Sequence, residues 1–374
     1  MRAVIRDFKS VAHAELEVAP LTILIGPPAG GKSNILDALA VLGYPARLLR
    51  LDEEYGGDKN ALEPLGLVAR YTEPRALFRN YDLTKTPTVE TPKYSVSIHY
   101  RRGLRLQVKA GDATAEINME YLTAGGDLAP LQDILVETRL YGYDRYGLPA
   151  TGCRQGHCGF YDYLTTQGRF TPRNILSDLG WNIRRVIRYT PDVVREINEA
   201  LSERLGEKIE LKVSKEGAIA IYDYDYEVTS PSVSETLFRL VYYLAALRSA
   251  ASYAKLYGLE GRLVVALEEP EAHIFPLLLD LLADHIAQAT STVHVVLATH
   301  NPLLVSALWD RAAGVKTYYI HRDKHGATAA AEINIRKMAQ DLATTEDIML
   351  TPPAEILAKY AKSPTTPSAT QPAT

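Results

Sequence analysis

Apolar and polar side chains alternate over residues 2–19, plainly at Leu16, Glu17 and Val18, which predicts one or two strands of a half-exposed sheet. The run Leu21-Thr22-Ile23-Leu24-Ile25 reads as a buried strand. The segment after it carries Ile35, Leu36, Leu39 and Leu42 on one helical face and is expected to stop at Gly43, where a left-handed residue closes a last turn. From 46 to 227 the pattern loosens. It offers strand-like stretches at 94–100 and 104–109, turn clusters at 142–160 and a helical period at 191–205. Order returns at Ser232, which with Glu235 has the spacing of a capping box and opens a long helical run through Leu237, Leu240, Val241, Leu244, Leu247 and Ala251. Two short apolar runs, Leu263–Leu267 and Val293–Ala298, flank a helical stretch at 276–288. Such runs alternating with helices predict buried parallel strands covered on both faces, an α/β fold. Residues 363–374 are Pro, Thr, Ser, Gln and Ala with little to bury, and read as a disordered tail.

The chain of 374 residues is long for one core, so a two-lobed unit and two domains are both open. Forty-one Lys and Arg against forty-five Asp and Glu leave a net charge of −4, which excludes a global electrostatic footprint for nucleic acid or membrane. No apolar run is long enough to span a bilayer and the first residues lack a signal-peptide layout, so a cytoplasmic protein with no membrane partner is expected. Cys153, His157 and Cys158 fall one ligand short of a structural zinc site, and a local disulfide or plain thiols are the alternatives.

The chemistry concentrates at three strand ends. Gly26-Pro27-Pro28-Ala29-Gly30-Gly31-Lys32-Ser33, between the Leu21–Ile25 strand and a helix beginning Asn34-Ile35-Leu36, has the pattern of a loop that cradles phosphates. Successive backbone N–H groups and a helix N-terminus there face one spot, Lys32 neutralises β- and γ-phosphates, and Ser33 is placed for Mg²⁺. Leu263–Leu267 ends in Glu268-Glu269-Pro270-Glu271, where ligands bind in open α/β sheets. Glu268 is expected to serve Mg²⁺ and Glu269 to polarise the attacking water. Val293–Ala298 ends in Thr299-His300-Asn301-Pro302, which makes His300 a candidate sensor of the γ-phosphate. His321-Arg322-Asp323 lacks the asparagine and glycine loop of a kinase. The carboxylates of Asp223, Asp225 and Glu227 fall on one strand face as solvated decoration. Arg101, Arg102, Arg105 and Lys109, with Arg184, Arg185 and Arg188, are candidate phosphate-backbone contacts.

Together these motifs, with Ile5-Arg6-Asp7-Phe8-Lys9-Ser10 at the N-terminus, resemble the ABC-type ATPases, specifically the head domains of the SMC, RecF and OLD group. The resemblance covers about 1–45 and 228–325. It implies a P-loop NTPase of ABC type with a mixed sheet around a parallel core and an inserted, partly helical lobe. The division expected is a first nucleotide-binding lobe at 1–110, the insert at 111–230, a signature helix with the rest of the ATPase core at 231–362, and the tail. It further implies ATP and Mg²⁺ as cofactors. Nucleotide contacts are expected from Lys9, Ser10, Gly26, Ala29, Gly30, Gly31, Lys32, Ser33 and Asn34, metal contacts from Ser33 and Glu268, and catalysis by Lys32, Glu269 and His300.

In that group a signature helix serves the ATP of the other subunit, so the resemblance implies a homodimer across two ATP molecules. Ser232 occupies the matching place, with Val233 and Ser234 where glycines are usual. No sustained heptad lies between Ser33 and Ser232, so a long coiled coil is absent. An ATPase acting on double-stranded DNA in repair, recombination or chromosome organisation is the leading expectation. A defence or toxin-type ATPase controlling a separate nuclease or other effector is the alternative, and a transporter subunit comes third.

Overall fold

In the computed structural model the described residues are 1–50, 64–125, 131–143 and 174–362, without 181, 207, 216, 229–233 and 342. Ser232, its capping box with Glu235, the cysteine pair, most of the 142–160 turn cluster and the 363–374 tail lie outside them.

Among the described residues, thirteen strands form one sheet. The chain enters through β1 (Arg2–Phe8), β2 (Val11–Glu17) and β3 (Leu21–Ile25), then runs along α1 (Lys32–Leu49). An antiparallel wing follows: β4 (Thr88–Glu90), β5 (Ser95–Tyr100), β6 (Leu104–Ala110), β7 (Ala113–Asn118) and β8 (Thr123–Gly125). Strand β9 (Glu137–Tyr141) returns to the far edge. Helices α2 (Ile183–Tyr189) and α3 (Asp192–Ala200) precede a small separate sheet of β10 (Ile209–Val213), β11 (Ile219–Asp223) and β12 (Tyr226–Val228). The long α4 (Glu235–Tyr257) leads into β13 (Leu263–Glu268), α5 (Leu279–Ala289), β14 (His294–Ala298), α6 (Pro302–Arg311), β15 (Val315–Arg322) and β16 (Thr328–Glu332). Helices α7 (Ile335–Gln340), α8 (Thr345–Leu350) and α9 (Pro353–Tyr360) end the described chain. Across the large sheet the strands lie in the order β8-β7-β6-β5-β4-β1-β2-β16-β15-β3-β14-β13-β9.

The parallel core consists of β15, β3, β14, β13 and β9. Its strands read as continuous apolar runs because both faces are covered. On β13, Leu263, Val265 and Leu267 join the cluster under α4 and α5, whereas Val264 and Ala266 join the opposite cluster with α1. Helix α4 is buried nearly all round, as a helix apolar on every face must be.

Two features depart from the sequence reading. Helix α1 does not stop at Gly43; it continues to Leu49 through Pro45. Gly43 serves close packing instead, since a Cβ there would stand 2.2 Å from the Thr138 backbone nitrogen of β9. The boundary expected at 110 falls inside the wing, where β6 and β7 pair through Ala110 and Ala113, and β9 lies within the main sheet. Among the described residues after β9, the first α-helix is α2.

Candidate functional site

Strand register brings the chemistry to one sheet end. Leu24 pairs with Ala298 on β14, and Ala298 pairs with Glu268 on β13, so the loop after β3 and the Glu268 and Thr299 turns leave the sheet side by side. Gly26 is the residue this exit requires. Its φ is +139° and a Cβ would stand 2.1 Å from the Ile320 carbonyl oxygen of β15, so no side chain fits. Ala29 also takes a positive φ, of 57°. The loop is laced to its neighbours: Arg322 Nε donates to the Ala29 carbonyl at 2.9 Å, and Thr328 Oγ1 donates to that of Gly30 at 2.9 Å. Thr328 also meets Ser10 Oγ at 2.7 Å, and Asn34 Nδ2 donates to Ser10 Oγ at 2.5 Å.

No side chain caps the N-terminus of α1, whose N-cap is Gly31. First-turn N–H groups left in this way are donors for an anion. Lys32 is only 6% exposed and its ammonium donates to the Gly26 and Pro27 carbonyls at 2.8 and 3.1 Å. Burial pulls its pKa down to about 8, against the raising influence of Glu269, Glu268 and Glu271. A half-dehydrated amine at a donor-rich helix end fits a polyphosphate well. The hydroxyl of Ser33 and the carboxylate of Glu268 are hard oxygen donors suited to Mg²⁺. Among the described residues no cluster of three or more His, Cys, Asp or Glu side chains is arranged for an ion, so a divalent ion at Ser33 and Glu268 would need further oxygens such as those of a phosphate.

Glu269 sits in a left-handed conformation, φ 41°, with its N–H bonded to the Ala298 carbonyl at 2.8 Å. That strained turn lifts its half-exposed carboxylate toward His300, whose Nε2 lies 3.4 Å from Glu269 Oε1. Burial and then Lys32 lower the His300 pKa, with Glu269 opposing, so the ring is neutral at pH 7. His300 and Thr299 line a cavity of about 240 Å³ with Gly26, Pro27 and Pro28. Lys32, Glu268, Glu269 and His300 are thus gathered in one place, with Ser10, Asn34 and the loop glycines beside them. Lys9 turns elsewhere: its ammonium bonds Asp37 Oδ2 at 2.8 Å and the carbonyls of Ala69 and Arg70.

Sequence reasoning did not find Glu271, Tyr243 or Arg70. Glu271, 7% exposed, accepts from Thr299 Oγ1 at 2.6 Å and from the His300 N–H at 3.2 Å, fixing the turn that presents the imidazole. Its other oxygen is buried without a hydrogen-bond partner among the described residues, and burial raises its pKa. Tyr243 of α4 donates to the Glu268 carbonyl at 3.0 Å. Arg70 Nη1 donates to both Glu268 oxygens, at 2.7 and 2.8 Å. The third glutamate of the 268–271 motif was a signal for Glu271; Arg70 stands in a stretch with no pattern.

Residues 184–306 match the model of a family described as "AAA domain, putative AbiEii toxin, Type IV TA system". Among solved structures, an Smc head bound to the C-winged helix domain of ScpA is similar at 13% identity, covering 90% of this chain and 98% of that one, with a TM-score of 0.49. An Smc head with an extended coiled coil, bound to the C-terminal domain of ScpA derived from Pyrococcus furiosus, gives 14%, 93%, 98% and 0.48. The SMC head domain from Thermotoga maritima gives 16%, 89%, 98% and 0.39. A comparison with curated proteins finds no match. No helix among the described residues is long and apolar enough to cross a membrane.

Proposed function

We propose that this chain, a P-loop ATPase with an ABC-type head fold, hydrolyses ATP at the strand ends just described, closes as a homodimer over two nucleotides, and works on DNA. The gathering of Lys32, Glu268, Glu269 and His300 at one end of the parallel core carries the reading. Lys32 and the amides of the Gly26–Ser33 loop hold the triphosphate, with Ser10 and Asn34 beside the loop. Ser33 and Glu268 are the residues that would hold Mg²⁺, which when bound offsets phosphate charge. Glu269 accepts a proton from the water whose oxygen attacks the γ-phosphorus while the bond to the β-phosphate oxygen breaks. Neutral His300 donates a hydrogen bond to the γ-phosphate oxygens, its orientation fixed by Glu271.

Support for closure between copies comes from exposed apolar side chains that follow the site residues in the chain. Phe275 and Leu277, downstream of Glu269, and Leu303, downstream of His300, are each half exposed or more. Large apolar side chains in that position favour a covering surface. Support for DNA is Arg185 and Arg188, exposed with Tyr189 on α2. The description of the matched family favours a second reading, a toxin-type ATPase controlling a separate effector.

Glu269→Gln is the test. It should bind ATP, lose about 10²–10⁴-fold in turnover, and accumulate as a dimer with ATP by light scattering. Full turnover would move the base elsewhere. Binding to duplex DNA that weakens steeply with salt supports the first reading, and its absence together with co-purification of an effector supports the second.

A further inference from the structure

The Glu268 carboxylate is already engaged. Arg70 Nη1 sits 2.7 Å from Oε1 and 2.8 Å from Oε2, so one nitrogen takes both oxygens. The same guanidinium holds Asp37 of α1 on its other edge, with Nε 3.0 Å from Oδ1 and Nη2 3.0 Å from Oδ2. Asp37 is fully buried, whereas Glu268 is 15% exposed at the mouth of a cleft of about 260 Å³ shared with Glu269, Tyr143 and Arg239. The Asp37 end of the guanidinium is therefore the more deeply held and the Glu268 end the more open to solvent.

The main chain is bent to permit this. Arg70 has a φ of 43°, uncommon outside glycine, and Lys9 clamps the segment by donating to the Ala69 and Arg70 carbonyls at 2.7 and 2.9 Å. A carboxylate at a buried strand end is costly without a cation beside it. A guanidinium bonded to both its oxygens competes with a divalent ion for the lone pairs and the charge of the same carboxylate.

We propose that Arg70 is a positioning residue that acts as an internal stand-in for the divalent ion. It neutralises Glu268 while the nucleotide site is empty, keeps bare ions out, and pivots on Asp37 to release the carboxylate when the ion arrives with its triphosphate. This rests on the reading of Glu268 as a metal-binding residue. The consequence is ordered loading: the nucleotide-free chain binds divalent ions poorly.

Mn²⁺ alone, followed by electron paramagnetic resonance on the full nucleotide-free chain, tests this. Arg70→Met should bind Mn²⁺ at least tenfold more tightly than the wild type, and Arg70→Met/Glu268→Gln should lose the gain. A folded Arg70→Met with unchanged Mn²⁺ affinity, or a gain that survives Glu268→Gln, overturns the proposal. Should Arg70→Met not fold, Arg70→Lys decides. Its single ammonium cannot span Asp37 and Glu268, so affinity should rise about threefold, and no rise overturns the proposal. ATP binding in excess chelator, and its loss in Lys32→Ala, tests the phosphate loop separately. Failure there with a Mn²⁺ gain intact removes the nucleotide reading and leaves the arginine's hold on Glu268 standing.

Discussion

With Lys32 holding the triphosphate as proposed, ATP binding is a proton-linked event. Its pKa falls from 10.5 to about 8 in the free protein, chiefly through burial. That difference of about 2.5 units corresponds to about 3.4 kcal/mol favouring the neutral amine, or about 2 kcal/mol once solvent screening of a partly wet group is allowed for. A bound triphosphate places negative charge against the amine and raises its pKa back toward the ordinary 10.5, so the complex holds the proton that about half the free molecules lack at pH 8. Binding should therefore take up about 0.5 proton per ATP at pH 8, about 0.1 at pH 7 and about 0.9 at pH 9. Affinity should fall toward tenfold per unit above pH 8. Because the folded pKa lies below the unfolded one, the free protein should also gain stability as pH rises from about 8 toward 10.5, and saturating ATP should erase that gain. Isothermal titration calorimetry with a slowly hydrolysed ATP analogue and excess Mg²⁺, in buffers of different ionisation enthalpy, reads the proton count directly. Lys32→Arg, charged at every pH used, should show no uptake. Zero uptake in the wild type at pH 8, or equal uptake in Lys32→Arg, would show that Lys32 does not titrate on binding.

Two further outcomes follow from packing around the site. Gly43→Ala gains helix propensity of about 1 kcal/mol, but its Cβ meets the Thr138 backbone at 2.2 Å and neither side can yield, so urea unfolding should show a net loss of about 1–3 kcal/mol; unchanged stability would contradict the contact between α1 and β9. Glu271→Ala removes the acceptor for Thr299 Oγ1 and the His300 N–H, so turnover should drop at least tenfold with ATP affinity within about twofold, and Glu271→Gln, which keeps an acceptor oxygen, should retain more; equal loss in both would show that the charge rather than the acceptor matters.

What the sequence disclosed depended on whether local pattern and tertiary role agreed. Strands β3, β13 and β14 were legible because each is buried on both faces and so reads as an uninterrupted apolar run. Strand β9 was not, although all five residues are buried, because it carries charge into the core. Glu137 and Arg139 pair at 2.7 Å within the strand, and Arg47 of α1 bonds the Thr138 carbonyl. A strand that neutralises its own charges looks polar until its partners are known. Gly43 misled for the converse reason: glycine's common use as a helix stop gave way to its use as a gap for a crossing backbone. The site residues held in motifs could be read as a group, whereas Arg70 could not. Its role comes from two carboxylates far from it in sequence, Asp37 and Glu268, and no local period announces a side chain whose partners are supplied by a sheet and a helix.

A crystal structure of Glu269→Gln with Mg²⁺ and ATP is the most direct test of nucleotide binding at the strand ends. The γ-phosphate is expected between Lys32 and His300, the ion on Ser33 with Glu268 freed from Arg70, and a second copy over the nucleotide. Nucleotide bound away from the Gly26–Ser33 loop, or an ion bound without Ser33 and Glu268, would contradict that binding mode.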